Sequence, residues 1–271
     1  MTTLRPITLI TGASAGIGAA LAQVFAQKGH DVVLAARREP QLIAVAETIA
    51  AAGGMRPDII AIDLGTADAP GRLAEMLRER GLEPAIVVNN AGFGLLGAAA
   101  DLDRAEQLAM IDLNMRTLTD LSLRFVESLA RHRGGILNVA SIAGFLPGPG
   151  MAVYHASKAY VLSFSEALHR ELKPLGVRVS VLCPGPVHTE FQARAGIPEG
   201  YFPRYLARSA ERVAREGYEG FMQGRCVIVP GFHNKVLTWL ARVTPRRIVL
   251  AMTDSPKHRA HRQKTESGHG G

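Results

Sequence analysis

Apolar residues in this chain fall into two alternating patterns. Short, nearly unbroken runs stand at ITLIT (7–11), DVVLAA (31–36), DIIAID (58–63), AIVVNNAG (85–92), GGILNVAS (134–141), VRVSVLCPG (177–185) and CVIVPG (226–231). Between them lie longer stretches in which apolar positions recur every third or fourth residue: 16–29, 39–52, about 67–80, about 103–131, 152–173 and about 209–222. The first pattern is that of strands buried on both faces, and the second is that of helices with one apolar side. Strand and helix in strict alternation predict an α/β fold, a doubly wound seven-stranded parallel sheet with helices on both faces. No repeat or linker interrupts the run, so residues 1–232 are read as one domain. Residues 233–253 form an amphipathic extension, with two short helices broken at Pro245. Residues 254–271 are polar and expected to be disordered.

Charge changes this picture only at the C-terminal end. The net charge is +7, yet nine Lys/Arg against two acids from Arg225 onward account for all of it. The preceding 224 residues are neutral, which argues against a nucleic-acid-binding core. Two readings stay open for the basic extension. It could rest on acidic lipid, with Trp239 and Leu240 beside Arg242, Arg246 and Arg247. It could instead pack at a subunit interface or close over a site. Cys183 and Cys226 are too few for a disulfide framework and lack metal spacing. The N-terminal segment is not signal-like and no run is long enough to span a bilayer, so a reducing, cytoplasmic setting is expected.

Candidate chemistry begins where the first strand enters the first helix. TGASAGIG spaces its glycines as GxxxGxG, at Gly12, Gly16 and Gly18. Glycines there permit a tight turn and let backbone N–H groups approach a pyrophosphate at a helix N-terminus. The second strand ends at Ala36, with Arg37 and Arg38 following. An acid at this point would bind a ribose 2′-hydroxyl, whereas arginine accommodates a 2′-phosphate. The cofactor is therefore read as NADP, with NAD possible. A second signal is YHASK. On a helix, Tyr154 and Lys158 share one face a turn apart. A neighbouring cation is expected to lower a phenol pKa and fit it for proton exchange.

Taken in order, TGASAGIG, NNAG (89–92), Asn114, Ser141, YHASK (154–158) and PGPVHTE (184–190) resemble the short-chain dehydrogenase/reductase family over about residues 7–231, most closely its bacterial ketoacyl and hydroxysteroid reductases. The resemblance implies a single-domain Rossmann fold and an NADP(H)-dependent oxidoreductase interconverting a carbonyl and an alcohol. It implies Tyr154 as general acid and Lys158 as the group that lowers its pKa and bonds the nicotinamide ribose. Ser141 would orient the substrate oxygen, and Asn114 would hold a proton-relay water. Gly12, Ser14, Gly16, Ile17 and Gly18 would line the pyrophosphate turn, and Asp63 and Leu64 the adenine. Asn90, Ala91 and Gly92 would pass beneath the cofactor; Pro184, Gly185, Val187 and Thr189 would hold the nicotinamide. The family usually forms homodimers or homotetramers. One departure stands out: many NADP-binding members carry a basic residue where this chain has Ala15.

Loops after the fourth to sixth strands offer Phe93, Phe145, Leu146, Met151 and Phe191 as substrate contacts, with Leu95, Leu96 and Tyr201 beside them. These loops contain no lysine, and their nearest arginine is Arg194. The expected substrate is therefore a small apolar ketone, aldehyde or alcohol. Residues 191–208 are the expected lid. His155 is expected to be solvated or packed against a partner, and His188 has no firm role. No metal is expected. The competing reading is a non-catalytic NAD(P)-sensing module, which the presence of the whole catalytic set argues against.

Overall fold

The computed structural model describes residues 4–187, 189–198 and 207–253. Strands β1 (Arg5–Thr11), β2 (Val32–Ala36) and β3 (Asp58–Ala61) are each followed by a helix: α1 (Gly16–Gln27), α2 (Glu39–Ala51) and α3 (Ala69–Glu79). The chain then returns through β4 (Leu82–Asn89), β5 (Gly135–Val139), β6 (Arg178–Leu182) and β7 (Val227–Ile228). All seven strands pair parallel in the order β3-β2-β1-β4-β5-β6-β7, a Rossmann-type doubly wound sheet. The winding direction reverses between β1 and β4. In open sheets of this kind a crevice forms there, outside the carboxyl ends of the strands.

The near-continuous apolar runs have a direct structural cause. Successive residues point to opposite faces, and here both faces are covered. Ile10, Leu34, Val88 and Leu137 enter one core with Leu21, Phe25 and Phe221. Their neighbours Leu9, Val33, Val87 and Ile136 enter the other core with Leu73, Leu121 and Leu168. Helix α9 (Ala210–Met222), capped by Ser209, lies close to the sheet because Gly217 and Gly220 carry no side chain. A Cβ on Gly217 would stand 2.9 Å from Leu182, and one on Gly220 would stand 2.8 Å from Ile228.

The stretch 103–131 departs from the single long helix its periodicity predicts. Asp103 caps α4 (Arg104–Ile111) by accepting from the Glu106 N–H at 2.8 Å. A π-helical turn then runs from Asp112 to Thr117 and carries Asn114. Helices α5 (Leu118–Arg124) and α6 (Val126–Arg131) follow, separated at Phe125. Periodicity cannot distinguish a widened turn from an α turn, because the i, i+4 neighbours on either side are retained. Helix α7 (Ala152–Leu172) carries YHASK, and α8 (Glu190–Arg194) is a short helix beyond β6. Helices α10 (Phe232–Val243) and α11 (Arg246–Thr253) lie on either side of Pro245. No helix among the described residues is long and apolar enough to cross a membrane.

Phe221 is fully buried in the first core, whereas Leu123 is about half exposed on α5. Phe221→Ala is expected to lower unfolding free energy by about 3–5 kcal/mol. Leu123→Ala is expected to stay within about 0.5 kcal/mol. Chemical denaturation of the two variants checks the pair.

Candidate active site

At the reversal point the ends of β1 and β4 are tied together. The Thr11 hydroxyl donates to the Val88 carbonyl at 3.2 Å and accepts from the N–H groups of Asn90 and Ala91 at 3.0 and 3.1 Å. The Asn90 amide donates to the carbonyls of Thr11 and Gly12 at 3.0 and 3.1 Å. Two glycines make this clasp sterically feasible. Gly12 has φ +64°, and a Cβ there would lie 2.8 Å from the Asn90 amide nitrogen. A Cβ on Gly18 would lie 2.3 Å from the Gly12 carbonyl oxygen. Gly18 is thus a packing residue beneath the turn rather than part of the cleft wall. Gly16 approaches Thr189 in the same way, at 3.0 Å.

Helix α1 starts at this turn with Ala15 as N-cap, no capping side chain and no acid in its first turn. Its first amide groups have no intrahelical partner and carry the positive end of the helix dipole. That cradle fits a pyrophosphate, and Ser14, Gly16 and Ile17 form its wall. The adjoining corner is cationic. Arg38 reaches the Ser14 hydroxyl at 3.4 Å and pairs with Glu190 of α8 at 2.7 Å. Arg37 stands 3.9 Å from Asp63, whose other oxygen accepts from the Gly65 N–H at 3.0 Å. Leu64 lines the same wall, and its carbonyl accepts from Thr117 at 2.8 Å.

The turn, this corner and the YHASK helix open onto one cleft of about 680 Å³. Ser141, Tyr154 and Lys158 line it, as do Asn90, Ala91, Gly92 and the motif residues Pro184, Gly185, Val187 and Thr189. Lys158 is buried and donates to the Val139 carbonyl at 2.9 Å. Ser141 caps the short 3₁₀ turn Ile142–Phe145 by accepting from the Ala143 N–H at 3.1 Å. Asn114 is buried behind Gly92. Its side chain accepts from the Phe93 N–H at 3.1 Å and donates to the Phe93 carbonyl at 3.0 Å and to Ser157 at 3.1 Å. A Cβ on Gly92 would stand 2.8 Å from Asn114 Oδ1 and 3.6 Å from Lys158 Nζ.

One electrostatic expectation is reversed. Burial pushes the Tyr154 phenol up to about 12, opposed only by its hydrogen bond with Ser141. Burial also pulls Lys158 down to about 8. The ammonium lies 5.8 Å from the Tyr154 ring centroid, over the ring, with one proton committed to Val139. Desolvation therefore outweighs the neighbouring cation. Tyr154 is held in its neutral, protonated form.

The cleft wall beyond Tyr154 is apolar: Leu146, Met151, Ile197 and Phe191, whose ring centroid is 5.4 Å from that of Tyr154. Phe93 and Phe145, expected as substrate contacts, do not line the cleft; Phe93 packs behind the wall with Met151 and Tyr154. Phe93 is buried under Arg194, with the guanidinium 4.5 Å from its ring centroid. Phe145 turns into a separate cluster with Leu118 and Val161, beneath Arg242. The backbone decides this: the 3₁₀ turn after Ser141 directs Leu146 inward and Phe145 outward. His155 is partly buried and lines the cleft. It donates to the Leu146 carbonyl at 2.8 Å and fixes the loop that carries the wall. Tyr201 and His188 lie outside the described residues. Sequence reasoning gave no role to Glu190 or to Leu237 of α10, which also line the cleft. Glu190 stood inside a motif as a visible acid, whereas nothing local marked Leu237.

Among the described residues no group of three His, Cys, Asp or Glu could hold a metal. A buried ammonium gives a test of the site's electrostatics. Lys158 is depressed in the folded chain from its ordinary 10.5 to about 8. Between these values the folded chain has lost a proton that the unfolded chain keeps, so this group makes stability rise with pH across that window. Lys158→Met is expected to be at least as stable as the parent at pH 7. Its advantage should shrink between pH 8 and 10.5. Paired denaturation curves of cofactor-free protein across that range measure the difference.

Comparison with known proteins agrees with this geometry. Residues 6–199 match the short chain dehydrogenase family. A sulfoacetaldehyde reductase of Chromohalobacter salexigens is 37% identical over 191 residues, 69% of this chain and 75% of that protein. The short-chain dehydrogenase of Sphingobium yanoikuyae, solved with NADPH, is 31% identical with a TM-score of 0.77 over 89% of this chain and 96% of that one. A ketone-specific alcohol dehydrogenase of Comamonas testosteroni is 28% identical, with a TM-score of 0.73 over 90% and 96% of the two chains. With the parallel sheet, the glycine turn and the YHASK helix meeting at one cleft, the chain belongs to the short-chain dehydrogenase/reductase family of oxidoreductases.

Proposed function

We propose that the protein reduces an apolar ketone or aldehyde to its alcohol with NADPH, and runs the reverse reaction more readily as pH rises. The observation that carries this reading is Tyr154, buried and neutral beside Ser141 in an apolar wall. NADPH, when bound, would supply the hydride to the carbonyl carbon. Tyr154 gives its proton to the carbonyl oxygen, where negative charge builds, and the Ser141 hydroxyl orients that oxygen. Lys158 is the nearest cation to the phenolate left behind, and its lowered pKa fits it to return a proton. Asn114, held on both sides of Phe93 and against Ser157, keeps the loop beside Lys158 in place and is the candidate anchor of a relay.

The cofactor preference rests on Arg37, Arg38 and Ser14, a corner suited to a 2′-phosphate. The solved Sphingobium relative holds NADPH, which supports the same reading. Substrate class rests on Leu146, Met151, Phe191 and Ile197. The ketone specificity in the name of the Comamonas enzyme points the same way. The charged aldehyde in the name of the Chromohalobacter relative points elsewhere. Arg194 also lines the cleft, with its guanidinium 4.5 Å from the Phe93 ring centroid.

NADPH consumption over a panel of apolar ketones, aldehydes and diketones, with sulfoacetaldehyde alongside, tests the proposal. Tyr154→Phe is expected to lower kcat by about 10²- to 10⁴-fold while NADPH still binds. Equal turnover by the variant would remove Tyr154 from the chemistry. A preference for sulfoacetaldehyde over every apolar carbonyl would refute the substrate class. Arg38→Leu is expected to raise KM for NADPH about 10- to 100-fold, the scale of one charge-assisted hydrogen bond, and to leave KM for NADH unchanged.

A further inference from the structure

Helix α10 is mounted with its polarity inverted. Its inward face carries Asn234 and Thr238, both buried. Its apolar residues Phe232, Val236, Trp239, Leu240 and Val243 stand outward, at the i, i+4, i+7, i+8, i+11 spacing of one helical stripe. Phe232 is 75% exposed and Trp239 62%. Helix α11 continues the exposed apolar surface with Ile248, Leu250 and Met252 and buries Val249. A water-facing helix would show the opposite arrangement, so this face requires an occupant.

Charge identifies the occupant. Lys235 and Arg242 flank the stripe, and Arg246 and Arg247 open α11; all four are exposed. No acid occurs from Arg225 to Thr253. A second copy of the chain set on this face would bring like charges together. An anionic surface with an apolar interior matches both the cations and the stripe. We propose that α10 and α11 form a docking face for an anionic lipid bilayer, lying in its surface rather than spanning it.

The orientation of α10 is fixed by the body of the protein. Arg242 lies 3.5 Å from Glu166 of α7 and 5.0 Å from the Phe145 ring centroid. Asn234 packs against Gly185, where a Cβ would fall 2.6 Å from its amide nitrogen. Leu237, on the edge of the stripe, lines the cleft. The docking face and the cleft therefore share one helix as a wall. Docking brings the apolar side of the cleft to the lipid surface, where an apolar carbonyl concentrates; this last consequence alone rests on the proposed function.

Trp239 is the only tryptophan in the chain, so its fluorescence reports on the face directly and without turnover. Full-length protein is mixed with vesicles of phosphatidylglycerol and phosphatidylcholine, or of phosphatidylcholine alone. A blue shift of Trp239 and co-sedimentation are expected with the anionic vesicles only, and both should fade in high salt. Phe232→Ser/Val243→Ser, which keeps the probe, should lose both signals. Arg246→Glu/Arg247→Glu should weaken binding at least about tenfold. Unchanged thermal melting and NADPH binding verify that both variants are folded. Unshifted emission with all protein left in the supernatant overturns the proposal. So does a blue shift that follows protein concentration without vesicles, with Phe232→Ser/Val243→Ser turning a dimer into a monomer; the occupant is then a second copy.

Discussion

The hydrogen-bonded clasp between Thr11 and Asn90 is the constraint on which the site depends. A parallel sheet that reverses its winding between β1 and β4 leaves two strand ends diverging, and their terminal backbone groups lie inside the crevice. Here one hydroxyl and one carboxamide satisfy those groups across the gap, making five hydrogen bonds. The geometry sets the rest in sequence. It forces glycine at positions 12 and 18, because any side chain would strike the clasp or the turn above it. It also sends the chain after β4 past Gly92, within van der Waals reach of Asn114 and Lys158. The cofactor turn and the Asn114 and Lys158 side chains are thus two ends of one backbone arrangement.

Burial dominates the chemistry of the cleft. A tyrosine and a lysine are both taken out of water with no carboxylate beside them, which disfavours the phenolate and the ammonium alike. The fold accepts that cost in return for a dry, preorganised site, with Lys158 held by a single carbonyl and Asn114 by a widened helical turn. The π turn follows the same logic: it puts the Asn114 amide where it bonds both the N–H and the carbonyl of Phe93. Near neutral pH the buried Tyr154 therefore keeps its phenolic proton.

The C-terminal helices connect this interior to the surface. Asn234 and Thr238 are buried on the inner side, where they donate back to the Pro230 and Lys235 carbonyls of their own segment and Asn234 fits tightly against Gly185. The apolar stripe is thereby turned outward. Arg242 stacks on Phe145 and pairs with Glu166, which holds that orientation from the outer side. The wall of the cleft and the outward stripe cannot be altered independently, since one helix supplies both.

By itself the sequence determined the layered α/β class, the number and order of the strands, the glycine turn, and the Ser141, Tyr154 and Lys158 set with Asn114. These are legible because period-two and period-3.6 patterns, tight turns and an i, i+4 pair are local consequences of covalent geometry. Other features depend on what packs against what, and only the tertiary structure decided them. The 103–131 helix breaks at a π turn because Asn114 has partners 21 residues away. Phe145 leaves the cleft while Leu146 enters it, because the backbone after Ser141 coils into a 3₁₀ turn. Glu190 joins the cleft by pairing with Arg38 across 152 residues of chain. The direction in which α10 presents its apolar stripe could not be read from its amphipathic pattern, since that pattern records that two faces differ and not which of them the protein covers.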